Sequence, residues 1–238
     1  MKSPLQQKRN GFTLVELLVV IGIILALSSL VFFAVKKGIA MSRMATCASN
    51  LRNIGIAMQQ FANDNQGFYP DTTHTKPAEQ AWITQLEEYL GENTDVFICP
   101  ADLKAKDRER NRASSYILNN LVFAAEIDAM ADEPQVNYNR PDRLPEPSKT
   151  ILVFPVSDSR SPFRGEDHTH SEMWSSWASV TRDIAPDIHK RQGSNDNTKG
   201  CANYLYADGH VENITGNEFK QQIEQGNNLG EIPGVVRP

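Results

Sequence analysis

The sequence predicts an α+β fold: a long N-terminal α-helix, its first half membrane-spanning, packed on a small antiparallel β-sheet head with long loops. Three observations predict it. Almost every residue from Phe12 to Val35 is hydrophobic, the exceptions being Thr13, Glu16, Gly22, Ser28 and Ser29. Beyond Lys36-Lys37 an apolar stripe continues at helical spacing. Near the other end, Tyr204 to Ala207 and His210 to Ile214 flank Asp208-Gly209, a strong hairpin signal.

As a helix, the apolar run is about 24 residues and roughly 36 Å long, enough to cross a bilayer. Lys2, Lys8 and Arg9 precede it and favour a cytoplasmic N-terminus, although Lys36, Lys37 and Arg43 on the far side weaken that rule. A secretory signal peptide is the alternative. Against it, the run exceeds the usual apolar stretch of about 7–15 residues, and no clear small-x-small cleavage site ends it. A plain membrane anchor is a second alternative.

Glu16 stands inside this run. A carboxylate at the centre of a membrane helix costs about 2.5–3.5 kcal/mol on insertion scales, and less near the interface. Cutting the chain after Gly11 would leave an ammonium on Phe12, with Glu16 about one turn below it. Glu16 could then meet its own terminus or a neighbour's, and an unpaired buried carboxylate would penalise a wrong axial stagger.

The stretch "KRNGFTLVELLVVIGIILAL" resembles the class III signal and first helix of type IV pilins and type II secretion pseudopilins. The resemblance implies a prepilin peptidase that cuts after Gly11 and methylates the new amine on Phe12, and it places the family's assembly acid at Glu16. It also implies a subunit held in the inner membrane, N-terminus inside and head in the periplasm, that later joins a filament at the cell surface. Some members carry a proline in the span; here Gly22 is the only soft spot.

Past the span, Ala40, Met44, Cys47, Leu51, Ile54, Met58 and Phe61 recur at steps of three and four. Arg43, Asn50, Arg52, Asn53, Gln60 and Asn63 fall off that face, and Asn63 to Gly67 is a turn-forming cluster. One helix of roughly 75 Å is therefore expected from about Phe12 to Asn63. Its stripe is too short, and too poor in flanking charge pairs, for a free coiled coil, so it should pack on a head. The segments are a leader (1–11), a membrane half (12–35), an amphipathic half (36–63) and a head (64–238) with an insertion loop at 157–200.

This second half, with "FICPAD" (97–102), "SSYILNN" (114–120) and "NYLYADGHVENI" (203–214), is similar to a pilin-like group. The group's processing-associated domain is named for a His, nine residues and Asp-Gly. His189 would be that histidine, but it stands about twice as far from Asp208-Gly209 as the name implies.

In the head, a second helix is expected to open at Thr75-Lys76-Pro77, bury Trp82, Leu86 and Tyr89/Leu90, and end at Gly91. Asp95 to Cys99, Tyr116 to Leu118 and Thr150 to Phe154 read as strands. Thr215 and Glu218 have capping-box spacing, so a short last helix should bury Phe219 and Ile223. The stretches 131–149 and 157–200, rich in Pro, Asp, Ser and Arg, read as loops or insertions.

Several residue groups could carry chemistry. Cys47 and Cys99 could close a disulfide around a loop of about 50 residues, worth about 4 kcal/mol, or remain buried thiols; Cys201 is left over. His168 and His170, with Glu166, Asp167 and Glu172, could chelate zinc, or form a polar surface insertion. Asp102, Asp196 and Asn197 are calcium-type ligands without a calcium-loop motif. Neither ion is required, and no cofactor is expected. Asp208 reads as a turn residue beside Gly209, both needing positive φ, and not as a catalytic acid. Trp174 and Trp177 could form an exposed patch or plug the insertion onto the head.

Composition narrows the function. A net charge of −5 gives no basic face for nucleic acid. Hydrolase elbows, phosphate loops and the His-Glu-x-x-His pattern are absent. The resemblance implies a non-enzymatic filament subunit whose partners are the prepilin peptidase, other pilin or pseudopilin subunits, inner-membrane assembly machinery and the lipid bilayer. The alternatives are an anchored periplasmic protein binding polysaccharide or secreted cargo, and an anchored metal-dependent hydrolase.

Overall fold

A computed structural model describes residues 13–91, 93–123, 137–189 and 196–235. It divides into two compact units, Met1–Met41 and Ser42–Pro238. Helix α1 (Leu14–Asp64) runs through both. It is long and apolar enough to cross a membrane. In the first unit most of its described apolar side chains are bare: Leu14, Leu18, Leu25, Val31 and Phe32 are each more than half exposed.

In the second unit the predicted stripe is the buried face of α1. Cys47, Leu51, Ile54 and Met58 are fully buried, and Met44 and Phe61 are half-buried. The helix stops because Gln66 and Gly67 turn left-handed (φ 57° and 85°), letting the Gly67 amide donate to the Ala62 carbonyl at 2.8 Å.

The remaining elements are α2 (Trp82–Glu87), α3 (Ala105–Arg110), β1 (Tyr116–Asn119), α4 (Asn120–Phe123), β2 (Ile151–Pro155), β3 (His168–Thr169), α5 (Trp177–Asp183), β4 (Cys201–Tyr206), β5 (Val211–Thr215) and α6 (Gly216–Glu224). The strands form one sheet in the order β3-β1-β2-β4-β5. Three pairs are antiparallel, but β3 runs parallel to β1, so the sheet is mixed. The chain leaves β2, crosses back and joins the free edge of β1 in the same direction.

All six residues of β4 are buried because both faces of the strand are covered. Cys201, Asn203 and Leu205 face α1: the Asn203 amide donates to the Met44 carbonyl at 2.9 Å, and Leu205 lies against Gly55, where an added Cβ would sit 2.9 Å from its Cδ1. On the opposite face Tyr204 packs on Phe154 and on Phe219 of α6, and Trp174 closes the same cluster.

Four expectations need correction. Asp95 to Cys99 is not a strand: residues Thr94–Phe97 form a 3-10 turn closed by the Ile98 amide on the Asp95 carbonyl at 3.0 Å. The second helix does not open at Thr75; a 3-10 turn, Ala78–Gln80, follows Pro77, extended Ala81 interrupts the chain, and α2 starts at Trp82, with Gly91 ending the segment left-handed as expected. The hairpin turn is Ala207-Asp208-Gly209, with positive φ at Gly209 alone (89°). Gly209 donates to the Tyr206 carbonyl, and the Asp208 carboxylate takes the His210 amide at 3.1 Å, so a type I turn with a glycine bulge replaces the two-residue turn.

The fourth correction concerns 157–200, whose described residues are built into the fold. It supplies β3, α5 and buried Trp174, Val180 and Ile184. Several of its polar residues are interior, among them Asp167, Thr169, Ser171, Asp183 and Asp187. The Asp183 carboxylate accepts from the Thr169 hydroxyl and the Trp174 indole, both at 3.0 Å, and the Ser171 hydroxyl donates to Asn119 at 2.9 Å. Hydrogen bonding inside the fold is what lets so polar a stretch be buried.

Candidate functional site

The first candidate is a cluster of three imidazoles. His168 and His170 flank Thr169 at the β3 edge, so period-two alternation puts them on the same face. His74 joins them from the loop before α2. Its Nε2 is 3.1 Å from Nε2 of His170, and its ring centroid is 4.3 Å from that of His168. One ring nitrogen of each residue lies within 4.8 Å of the others. His168 Nδ1 meets the Asp167 carboxylate at 2.7 Å, and His170 Nδ1 meets Glu172 at 2.9 Å. Asp167 is buried and also accepts from the Thr73 hydroxyl (2.6 Å) and amide (3.0 Å). His74 stands more than ninety positions from its partners, so no local spacing announces it.

A second cluster is interior. Cys47, Cys99 and His189 bring two sulfurs and an imidazole nitrogen within 4.8 Å of one another, all buried. Of the two alternatives for Cys47 and Cys99, a bridge or buried thiols, the structure has buried free thiols, and Cys201 is a free thiol as well. Each sulfur has another neighbour, the Tyr116 hydroxyl at 3.3 Å from Cys47 and His189 Nε2 at 3.8 Å from Cys99. The hydrogen bond with Cys99 holds the Cys47 thiol well below its ordinary pKa. The same bond, with burial, pushes Cys99 up. His189 is placed by an antiparallel bridge to Cys201.

The calcium-type residues do not converge as ligands. Asp102 is occupied by the Arg108 guanidinium at 2.7 Å, the Ser115 hydroxyl at 2.6 Å and the Lys104 amide at 2.8 Å. Asp196 takes the Thr198 hydroxyl, and Asn197 donates to Asp187. Trp174 is buried and Trp177 packs on Phe219, so they plug the head. Among the described surface clefts, one of 840 Å³ lies between Thr84, Glu87, Gly91 and Arg112 and has no histidine in its lining.

At the N-terminus, Gly11 and Phe12 fall outside the described residues. Glu16 falls inside them. Its Oε2 accepts from the Thr13 amide (2.8 Å) and hydroxyl (2.9 Å), while the Thr13 hydroxyl accepts from the Glu16 amide at 3.2 Å. This is a capping box at the start of α1. Its Thr-x-x-Glu spacing is visible in the sequence, but there Glu16 is weighed only as a charge for an amine. Residues 6–32 match the prokaryotic N-terminal methylation motif. The chain therefore has a prepilin-type N-terminus, which supports a pilin-like subunit processed by a prepilin peptidase and, with one apolar N-terminal helix, fits inner-membrane anchoring. No curated protein and no solved structure matches the chain.

Proposed function

We propose that this chain is a structural subunit of a type IV pilus-like or type II secretion filament. It is inserted with the leader (1–11) in the cytoplasm, cut after Gly11, methylated on Phe12 and polymerised through residues 12–35, with the head (64–238) displayed outside the membrane. The observation that carries this reading is the methylation motif over 6–32, continuous with a helix whose apolar side chains are exposed up to Met41. A bare surface of this kind calls for lipid or neighbouring helices. The "FICPAD", "SSYILNN" and "ADGHV" segments further support a head of the processing-associated type.

Glu16 then serves in two settings. In the lone subunit it caps its own helix through Thr13. In the filament it faces the methylated amine of a neighbour and sets the axial stagger. The two roles separate by substitution, because glutamine retains a capping-box acceptor and lacks the charge. Mass spectrometry of protein taken from membranes is expected to find a mature chain that begins at methylated Phe12. Glu16→Gln is expected to insert and to be processed normally, yet to enter filaments poorly. A retained Met1 in the presence of the peptidase, or normal filament entry by Glu16→Gln, would refute the proposal.

A further inference from the structure

We infer that His74, His168 and His170 bind one divalent transition ion of the zinc class, leaving a fourth position open to water. One ring nitrogen of each histidine lies within 4.8 Å of the other two, and one pair already has the spacing an ion requires. Zinc–nitrogen bonds of about 2.0–2.1 Å at tetrahedral angles put neighbouring nitrogens about 3.3 Å apart. The Nε2 atoms of His74 and His170 are 3.1 Å apart. A shared proton would account for that pair alone. It gives no role to the third ring, His168, whose centroid is 4.3 Å from one partner's and 5.3 Å from the other's. One ion serves all three.

The carboxylates behind the rings point the same way. Metal-bound imidazoles usually give their other N–H to a carboxylate, which fixes the tautomer and aims the free lone pair. Asp167 does this for His168 and Glu172 does it for His170, each on Nδ1, where Glu172 at 2.9 Å is nearer than the Asn120 side-chain amide at 3.3 Å, so Nε2 is left as the ligand atom on both rings. Asp167 does more than orient a ring. By holding the Thr73 amide and hydroxyl, it also pins the loop that presents His74. A single buried carboxylate thus sets the separation of ligands that come from two remote parts of the chain.

The donor set selects the ion. Three imidazoles suit zinc, copper or nickel, whereas calcium takes six to eight oxygens. The cluster lies near the surface, with His74 exposed and the His170 side chain 38% exposed, so an ion can enter and a water can complete its shell. Bound there, it would tie the loop at 71–75 to the edge strand β3.

The test uses full-length protein in detergent, stripped by a chelator and titrated with zinc or cobalt chloride. One equivalent should bind, and cobalt should show four-coordinate ligand-field bands without thiolate charge transfer. His74→Ala and His170→Ala should each abolish binding, and Asp167→Asn should weaken it about 10–100-fold. Cys47→Ser should bind as the wild type does, which excludes the interior cysteine cluster as the source. His74 is exposed on a loop, so its removal leaves the fold intact by circular dichroism. Absence of saturable zinc binding would overturn the inference. So would undiminished binding in the His74→Ala/His170→Ala double variant, or a thiolate charge-transfer band.

Discussion

Asp102 and Arg108 form an ion pair at 2.7 Å whose side chains are 0% and 1% exposed. Burial of two charges is tolerated here because their remaining groups are also satisfied. Ser115 and the Lys104 amide bond the carboxylate, and the guanidinium reaches the Ser157 carbonyl at 3.3 Å. The pair joins α3, the start of β1 and the end of β2. Removing one member strands the other, which typically costs about 3–5 kcal/mol. Arg108→Ala is therefore expected to lower the unfolding free energy by about that amount, read from the shift of a urea midpoint at constant slope. A loss below about 1 kcal/mol would mean that water reaches the carboxylate. Nothing in the sequence marks Asp102 as half of such a pair. There it reads only as a calcium-type ligand.

Among the elements, α6 shows how a local signal becomes a tertiary one. Thr215 and Glu218 close a reciprocal cap, with the Glu218 amide on the Thr215 hydroxyl at 3.1 Å and the Thr215 amide on the Glu218 carboxylate at 3.0 Å. The cap starts the helix that delivers Phe219 to Tyr204 and Trp174. Thr215→Ala is expected to cost about 1 kcal/mol, seen as a lower thermal midpoint with the sheet intact. This cap was legible in the sequence because its spacing is short and its chemistry local. The buried stripe of α1 was legible from its helical period, β2 from its unbroken apolar run and β4 from the Asp-Gly turn that follows it. The parallel β3 was not. Two residues long and polar, it is held by the Leu118 amide on the Asp167 carbonyl at 2.9 Å and by buried side-chain hydrogen bonds, none of which leaves a hydrophobic period. His74 was missed with it, since only the folded loop brings it to His168 and His170. Glu16 was legible as a charge, and its Thr-x-x-Glu spacing with Thr13 is visible in the sequence as well.

Over the whole molecule, the core is rich in phenols held away from water. Burial raises the pKa of Tyr69, Tyr116, Tyr204 and Tyr206 above the ordinary value of 10.0. Raised values mean that the folded state resists ionisation and the unfolded state does not. The contribution to stability is full below about pH 10 and is lost progressively as the pH rises above it. Unfolding at alkaline pH should therefore be cooperative, with the phenolate absorbance of these residues appearing together with the loss of circular dichroism. A gradual phenolate rise with the fold intact would count against their burial. The same interior fixes α1 lengthwise on the sheet. Asn203 holds the Met44 carbonyl, Asn50 holds the Ile98 carbonyl at 2.9 Å, and Leu205 fills the notch at Gly55. These three attachments are spaced along the helix, so a tug on its axis strains them simultaneously and in shear. Sliding by a single residue would break all of them at once, and this part of the helix and the sheet should therefore yield to tension as one body.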